Sequence, residues 1–272
     1  MMPQPANPPV ALVTGASAGI GALTAAALAE AGYRVFGTSR QPEAGGTRGV
    51  EMLALDVQSD ASVAACLEQV LGAGGRLDLL VNNAGLGHNS LIEETSLEQA
   101  RFVLETNFWG TVRVTTAALP AMRQQRTGRV IVVGSVAGLI GAVGMAYYSA
   151  SKFALEGWAE ALSYEVEPFG VRVSLVEPGY FKTHAGASLL TAAHTISEYD
   201  AIRREVLAAM ARARDHGGDA HAVAKAIVRI AQSPRPRLHY RVGLAAAWFP
   251  RFHYFVPERI FRYFLKRNYR LP

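Results

Sequence analysis

The sequence predicts an α/β fold, a parallel sheet covered on both faces by helices. Three observations carry this reading. Short apolar runs alternate with longer helix-like segments from Val10 to Val242. The first apolar run leads straight into a glycine-rich turn and then an alanine-rich segment. Half of the 272 residues are hydrophobic, enough to bury strands on both sides.

The elements follow in order. Residues 10–14 form a short apolar strand, and the glycine turn 15–21 follows it. A helix over 20–31 ends at Gly32, which suits a C-terminal cap. Strands are expected over 33–38 and 51–55, a helix near 59–71, a strand over 78–81 and one long helix over 97–123. A strand over 129–134 precedes a helix around Tyr148, whose apolar stripe includes Leu155, Trp158, Ala159 and Leu162. A strand over 171–176, a helix over 219–232 and a strand over 238–242 complete the alternation. No internal repeat or low-complexity linker marks a second domain. The expected division is an N-terminal extension (1–9), a catalytic domain (10–243) and a basic aromatic C-terminal extension (244–272).

Composition narrows the function. The single cysteine, Cys66, excludes an internal disulfide, and no paired metal ligands stand out. Residues 1–9 are proline-rich and polar and lack a signal-peptide core, so a cytoplasmic protein is expected. Residues 235–272 carry nine Lys/Arg against one acid, Glu258; the rest of the chain is net −3. The basicity therefore belongs to the tail, and the remainder has no electrostatic footprint for nucleic acid.

The chemistry gathers in three places. The loop Gly15, Ser17, Gly19, Ile20, Gly21 sits between strand and helix, where backbone N–H groups and a helix N-terminus can hold a pyrophosphate. The second strand ends in Thr38, Ser39 and Arg40, with no acid to hold a ribose 2′-hydroxyl. Arg40 offers a fork suited to a phosphate, which favours NADP(H) over NAD(H). Tyr148 and Lys152 stand four apart, on one helix face. A nearby ammonium lowers a phenol's pKa, making the pair a candidate acid/base for an alcohol or carbonyl oxygen, and Ser135 could bond the same oxygen. A Tyr-x-x-x-Lys pair alone also describes many solvated helix faces, and Tyr147 is adjacent.

These pieces occur together with Asp56-Val57, Asn82-Asn83-Ala84-Gly85, Asn107, Pro178-Gly179 and Thr183. Over residues 10–243 the chain resembles the short-chain dehydrogenase/reductase family, which implies a Rossmann-type, doubly wound parallel sheet. The resemblance implies Tyr148 as acid/base. Lys152 would lower its pKa and bond the nicotinamide ribose, and Ser135 would polarise the substrate oxygen. Asn107, in the long helix, would hold a water linked to Lys152. Asp56 and Val57 would meet the adenine; Asn83, Ala84 and Gly85 would line the cofactor, with Asn82 bracing strands. Pro178, Gly179 and Thr183 would meet the nicotinamide side.

For the substrate, His88, Val143, Met145 and Tyr180 are the candidates, with His184 and Leu189 nearby. The tail interleaves aromatics and arginines. It reads as a helix packed on the fold or on a second subunit, a surface helix on an anionic membrane, or a lid over an apolar pocket. With the 135–141 segment it resembles the hydroxysteroid and retinol dehydrogenase branch. The expected activity is NADP(H)-dependent interconversion of an alcohol and a carbonyl on a steroid-, retinoid- or lipid-like small molecule, by a homo-oligomer. The alternatives are reduction of 3-oxoacyl thioesters, and a non-catalytic nucleotide-sensing protein.

Overall fold

A computed structural model describes residues 8–42, 49–182 and 189–271. Along the chain these form Val10–Val13 (β1), Gly19–Glu30 (α1), Arg34–Ser39 (β2), Val50–Ala54 (β3), Asp60–Gly74 (α2), Leu79–Asn82 (β4) and the short Gly87–Asn89 (β5). Next come Leu97–Leu104 (α3), Gly110–Gln125 (α4), Gly128–Val133 (β6), Ala146–Val166 (α5), Val171–Pro178 (β7), and the short Phe181–Lys182 (β8) and Leu189–Thr191 (β9). Asp200–Asp215 (α6), Gly218–Asp219 (β10), His221–Gln232 (α7), His239–Val242 (β11), Leu244–Phe255 (α8) and Glu258–Asn268 (α9) follow.

Seven strands make one all-parallel sheet in the order β11-β7-β6-β4-β1-β2-β3. This is the doubly wound, Rossmann-type arrangement. The order reverses beside β1, so the crevice opens at the carboxyl ends of β1 and β4. Each central strand is buried on both faces. On one side, Leu12, Leu80, Val130 and Val132 pack with α2, α4 and α5 residues such as Val70, Met122 and Leu155. On the other, Ala11, Val13, Val81 and Ile131 meet Leu28 of α1 and Ile227 of α7. That is why the strands read as continuous apolar runs and not as an alternation.

The expected single helix over 97–123 is corrected. α3 starts with a capping box, Ser96 with Gln99, and runs regularly to Leu104. A π-helical turn, Glu105–Trp109, then separates it from α4. The extra residue turns Asn107 inward, where it is buried. Periodicity in the sequence does not register a one-residue widening, because both flanking helices keep their own apolar faces.

Candidate active site

β6 ends at Val133, and the chain turns at Ser135 before α5 begins at Ala146. Tyr148 lies in the first turn of α5, so its phenol faces the end of β6. The Ser135 hydroxyl hydrogen-bonds that phenol and also accepts from the Ala137 N–H at 3.1 Å. Lys152, one turn on, is buried; its Nζ donates to the Val133 carbonyl at 2.9 Å and lies 5.7 Å from the Tyr148 ring centroid. Tyr147 takes a different direction, with its ring 6.2 Å from that of His88. The helix geometry thus brings Tyr148 to Ser135 and Tyr147 to His88.

Burial pushes the Tyr148 phenol up; the Ser135 hydrogen bond pulls it down and the nearby Tyr180 raises it. Burial brings Lys152 down to about 8, opposed by the charge of Glu156. Desolvation of the phenol dominates, and the Lys152 ammonium donates to a backbone carbonyl.

The glycine turn follows β1. Gly15 adopts φ +65°, a left-handed conformation open to glycine. A Cβ on Gly21 would stand 2.1 Å from the Gly15 carbonyl oxygen, so only glycine lets α1 start this close to the strand. Asn83 clamps the turn, its Nδ2 donating to the Thr14 and Gly15 carbonyls at 3.0 Å each. The Thr14 hydroxyl accepts from the Asn83 and Ala84 N–H groups at 2.9 Å each. The first N–H groups of α1 face the same crevice. Ser17 is exposed beside them and Ile20 packs inward on the core.

At the end of β2 the Ser39 hydroxyl is buried with no hydrogen-bond partner among the described residues, and Arg40 is exposed beside it. An orphaned hydroxyl, a guanidinium, a helix N-terminus and a glycine turn along one crevice fit a phosphate-bearing dinucleotide.

A family profile described as "short chain dehydrogenase" matches residues 9–193. The chain belongs to the short-chain dehydrogenase family. It is 36% identical to a 3-ketodihydrosphingosine reductase of Bacteroides thetaiotaomicron over 97% of this chain and 98% of that one. It is 38% identical to retinol dehydrogenase 8 of Bos taurus over 87% of this chain and 82% of that one. Among solved structures, a short chain dehydrogenase/reductase from Burkholderia phymatum in complex with NAD superposes with a TM-score of 0.78 at 26% identity, covering 93% of this chain and 95% of that one. The chain is therefore an oxidoreductase of a family that binds nicotinamide cofactors.

Within this short-chain dehydrogenase the remaining expected residues fall unevenly. Asn107 does not face Lys152 directly. Its side chain accepts from the Leu86 N–H at 2.8 Å and donates to the Leu86 carbonyl and to Ser151 Oγ, bracing the 83–86 loop on α5. Asn82 Nδ2 donates to Thr115 Oγ1 at 2.8 Å, so its side chain ties β4 to α4, where bracing between strands was expected. The Val57 side chain belongs to the core and its carbonyl accepts from Arg113, which leaves Asp56 as the more open of that pair. Gly85 packs on Asn107. Pro178 ends β7, and the Gly179 N–H donates to the Val242 carbonyl at 3.0 Å. Thr183 and His184 lie outside the described residues.

On the substrate side, Val143 and Met145 join an apolar group with Val206, Met210, Ile202 and Leu265. His88 is fully buried, and neither ring nitrogen has a partner among the described residues. Burial lowers its pKa, which favours the neutral ring. Leu189 pairs with Gly87 in the β5–β9 ladder.

Tyr269 was not anticipated. It is buried against the same apolar group, and its phenol hydrogen-bonds Tyr180, the neighbour of Tyr148. The end of the chain thus reaches the mouth of the site. No local motif announces this, because the contact joins residues far apart in sequence.

Proposed function

We propose that this chain is an NADP(H)-dependent oxidoreductase that interconverts a carbonyl and an alcohol on a long-chain, lipid-like substrate. The single observation that carries the chemistry is the convergence of Tyr148, Ser135 and buried Lys152 at the end of β6. A bound nicotinamide would supply or accept the hydride. Ser135 orients and polarises the substrate oxygen. Tyr148 gives that oxygen its proton in reduction and takes it back in oxidation. Lys152 keeps positive charge beside the phenol. Gly15 to Gly21, Asn83 to Gly85 and Pro178-Gly179 would hold the dinucleotide along the crevice.

The lipid-like substrate draws on two supports. The apolar group around Val143, Met145 and Leu265 adjoins Tyr180 and Tyr269 at the site. The relatives at 36% and 38% identity are named for a sphingoid ketone and for retinol. The deciding screen uses 3-ketodihydrosphingosine, retinal, a 3-oxoacyl thioester and a small ketone with both cofactors. Preference for the thioester would favour the alternative substrate class, and no turnover with any would favour a nucleotide-sensing role.

For the cofactor, Arg40 and Ser39 would take the 2′-phosphate. A charge-assisted contact of this kind is worth about 1.5–3 kcal/mol. Arg40→Ala should weaken NADPH by roughly ten- to a hundredfold and leave NADH unchanged, measured by fluorescence titration. Equal losses for both would remove the assignment.

The tail suits the surface of an anionic bilayer. α8 and α9 zip together through Phe252, Phe261 and Phe264, with Phe252 and Phe264 centroids 5.4 Å apart. Their outer side exposes Leu244, Trp248 and Phe255 on α8, and Ile260 and Tyr263 on α9. Arg251, Arg259, Arg262 and Arg267 are exposed among them. No helix among the described residues is long and apolar enough to cross a membrane, so the hairpin would lie in the interface. The protein should float with phosphatidylglycerol-containing vesicles, less with pure phosphatidylcholine, and lose flotation in Trp248→Ser/Phe255→Ser. If that variant instead halves the mass in solution while flotation is absent throughout, the face joins two subunits.

A further inference from the structure

Glu156 follows Lys152 by one turn of α5, and Glu177 sits beside Pro178 at the end of β7. Glu177 is fully buried. Both oxygens of Glu156 and Oε2 of Glu177 are buried without a hydrogen-bond donor among the described residues. The two carboxyl groups face each other at hydrogen-bonding range. As two carboxylates they have no proton to share, and each would leave buried oxygens unpaired, a costly state. One proton between them makes a hydrogen bond and removes one charge.

The surroundings are mixed in sign. On α5, Lys152 is the charged neighbour. On β11, His239 Nδ1 lies 2.6 Å from Glu177 Oε1 and 3.6 Å from Glu156 Oε2, and Arg241 Nε lies 3.4 Å from Glu177 Oε2. Gly134, the residue after β6, closes the side, and its lack of a side chain leaves room for Glu156 Oε1. The Glu156, Glu177 and His239 ligand atoms all lie within 4.8 Å of one another, close enough for a metal ion as well. Arg241 and Lys152 already bring positive charge there, which favours a proton over a divalent cation.

We propose that Glu156 and Glu177 form a one-proton carboxyl pair that ionises through His239 as pH rises, and so keeps the catalytic-site Lys152 ammonium charged. Glu156 is the positioning residue: it acts on Tyr148 only through Lys152. Burial and the charge of Glu177 push Glu156 up to about 8, and burial brings Lys152 down to about 8. The two groups therefore compete for one proton in the same range, and they titrate as a coupled set. Loss of a proton from the carboxyl pair leaves the ammonium beside two carboxylates; loss from Lys152 leaves a neutral amine beside a pair that still carries one negative charge. The positive charges of Lys152 and of Arg241, whose Nε lies 3.4 Å from Glu177 Oε2, offset the second carboxylate and favour the first. The departing proton goes to water by way of His239, which is partly exposed, and no other bond changes.

The proposal rests on the reading that Lys152 partners Tyr148, but its first test does not. The chain has four lysines, so the ε-carbon signal of Lys152 can be followed by NMR after selective labelling and assigned by its absence in Lys152→Met. An opposite charge at this range shifts a pKa by about 1–3 units. Glu156→Gln should therefore move the Lys152 midpoint down by about that much. Glu156→Asp should retain most of the parent value and covers the case in which the glutamine variant misfolds. An unchanged midpoint in a folded Glu156→Gln, checked by its melting curve, overturns the proposal.

The second readout is the pH profile of kcat/KM for carbonyl reduction. Its alkaline limb should move to lower pH in Glu156→Gln, since the ammonium is lost earlier. A purely structural glutamate would lower the rate without moving the limb. A shifted NMR midpoint with a fixed limb would uphold the carboxyl pair and overturn the assignment of Lys152 to the reaction.

Discussion

Tyr148→Phe should lower kcat by about a hundred- to ten-thousandfold, the range that a positioned acid/base contributes. The substitution removes one oxygen and leaves the ring. The ring faces the end of β6, and Lys152 keeps its bond to the Val133 carbonyl at 2.9 Å, so the fold and the dinucleotide crevice should remain. NADPH affinity should stay within a few-fold of the parent. Tyr147→Phe is the matched control, because that ring points toward His88 and away from Ser135. Its rate should stay near the parent value. Stopped-flow and steady-state assays with the best carbonyl from the substrate screen provide the measurement. A Tyr148 variant with the parent's rate would remove Tyr148 as the proton carrier.

Gly21→Ala should damage both stability and cofactor binding. The added methyl carbon would sit 2.1 Å from the Gly15 carbonyl oxygen and 2.4 Å from Asn83 Nδ2. The first is backbone and the second is the clamp on the turn, so neither yields without moving the loop. Overpacking of this kind costs about 1–3 kcal/mol. In a chain of this size each kcal/mol lowers Tm by about 2–4 °C. The displaced turn also takes α1's first N–H groups off line, so NADPH and NADH should both weaken by at least about tenfold, or 1.4 kcal/mol. Equal loss separates this variant from Arg40→Ala. Unchanged Tm and affinity would mean that the turn is looser than its contacts indicate.

Much of the fold was legible because each local signal agreed with the global one. Continuous apolar runs such as 10–13 and 79–81, bounded by turns and too short for helices, suit strands buried on both faces, and the seven-stranded parallel sheet contains them. The glycine turn, Ser135, Tyr148 and Lys152 were legible as well, because their spacing is tied to one helix face and one strand end. The π turn at Asn107 was not. Both flanking helices satisfy their own periodicity, and the widening appears only when Asn107 must reach Leu86 and Ser151.

The amino-acid order alone determined the parallel sheet, the family, and which residue types could carry a proton. Those properties depend on patterns within one element or between adjacent ones. Only the tertiary structure decided how those groups are charged. Burial pushes Tyr148 up against the pull of the Ser135 hydrogen bond, and it brings Lys152 down. It also decided that Glu156 of α5 meets Glu177 of β7 and His239 of β11, and that Tyr269 reaches Tyr180. Desolvation and through-space charge depend on what three or more elements place around a group, and no one-dimensional pattern encodes that.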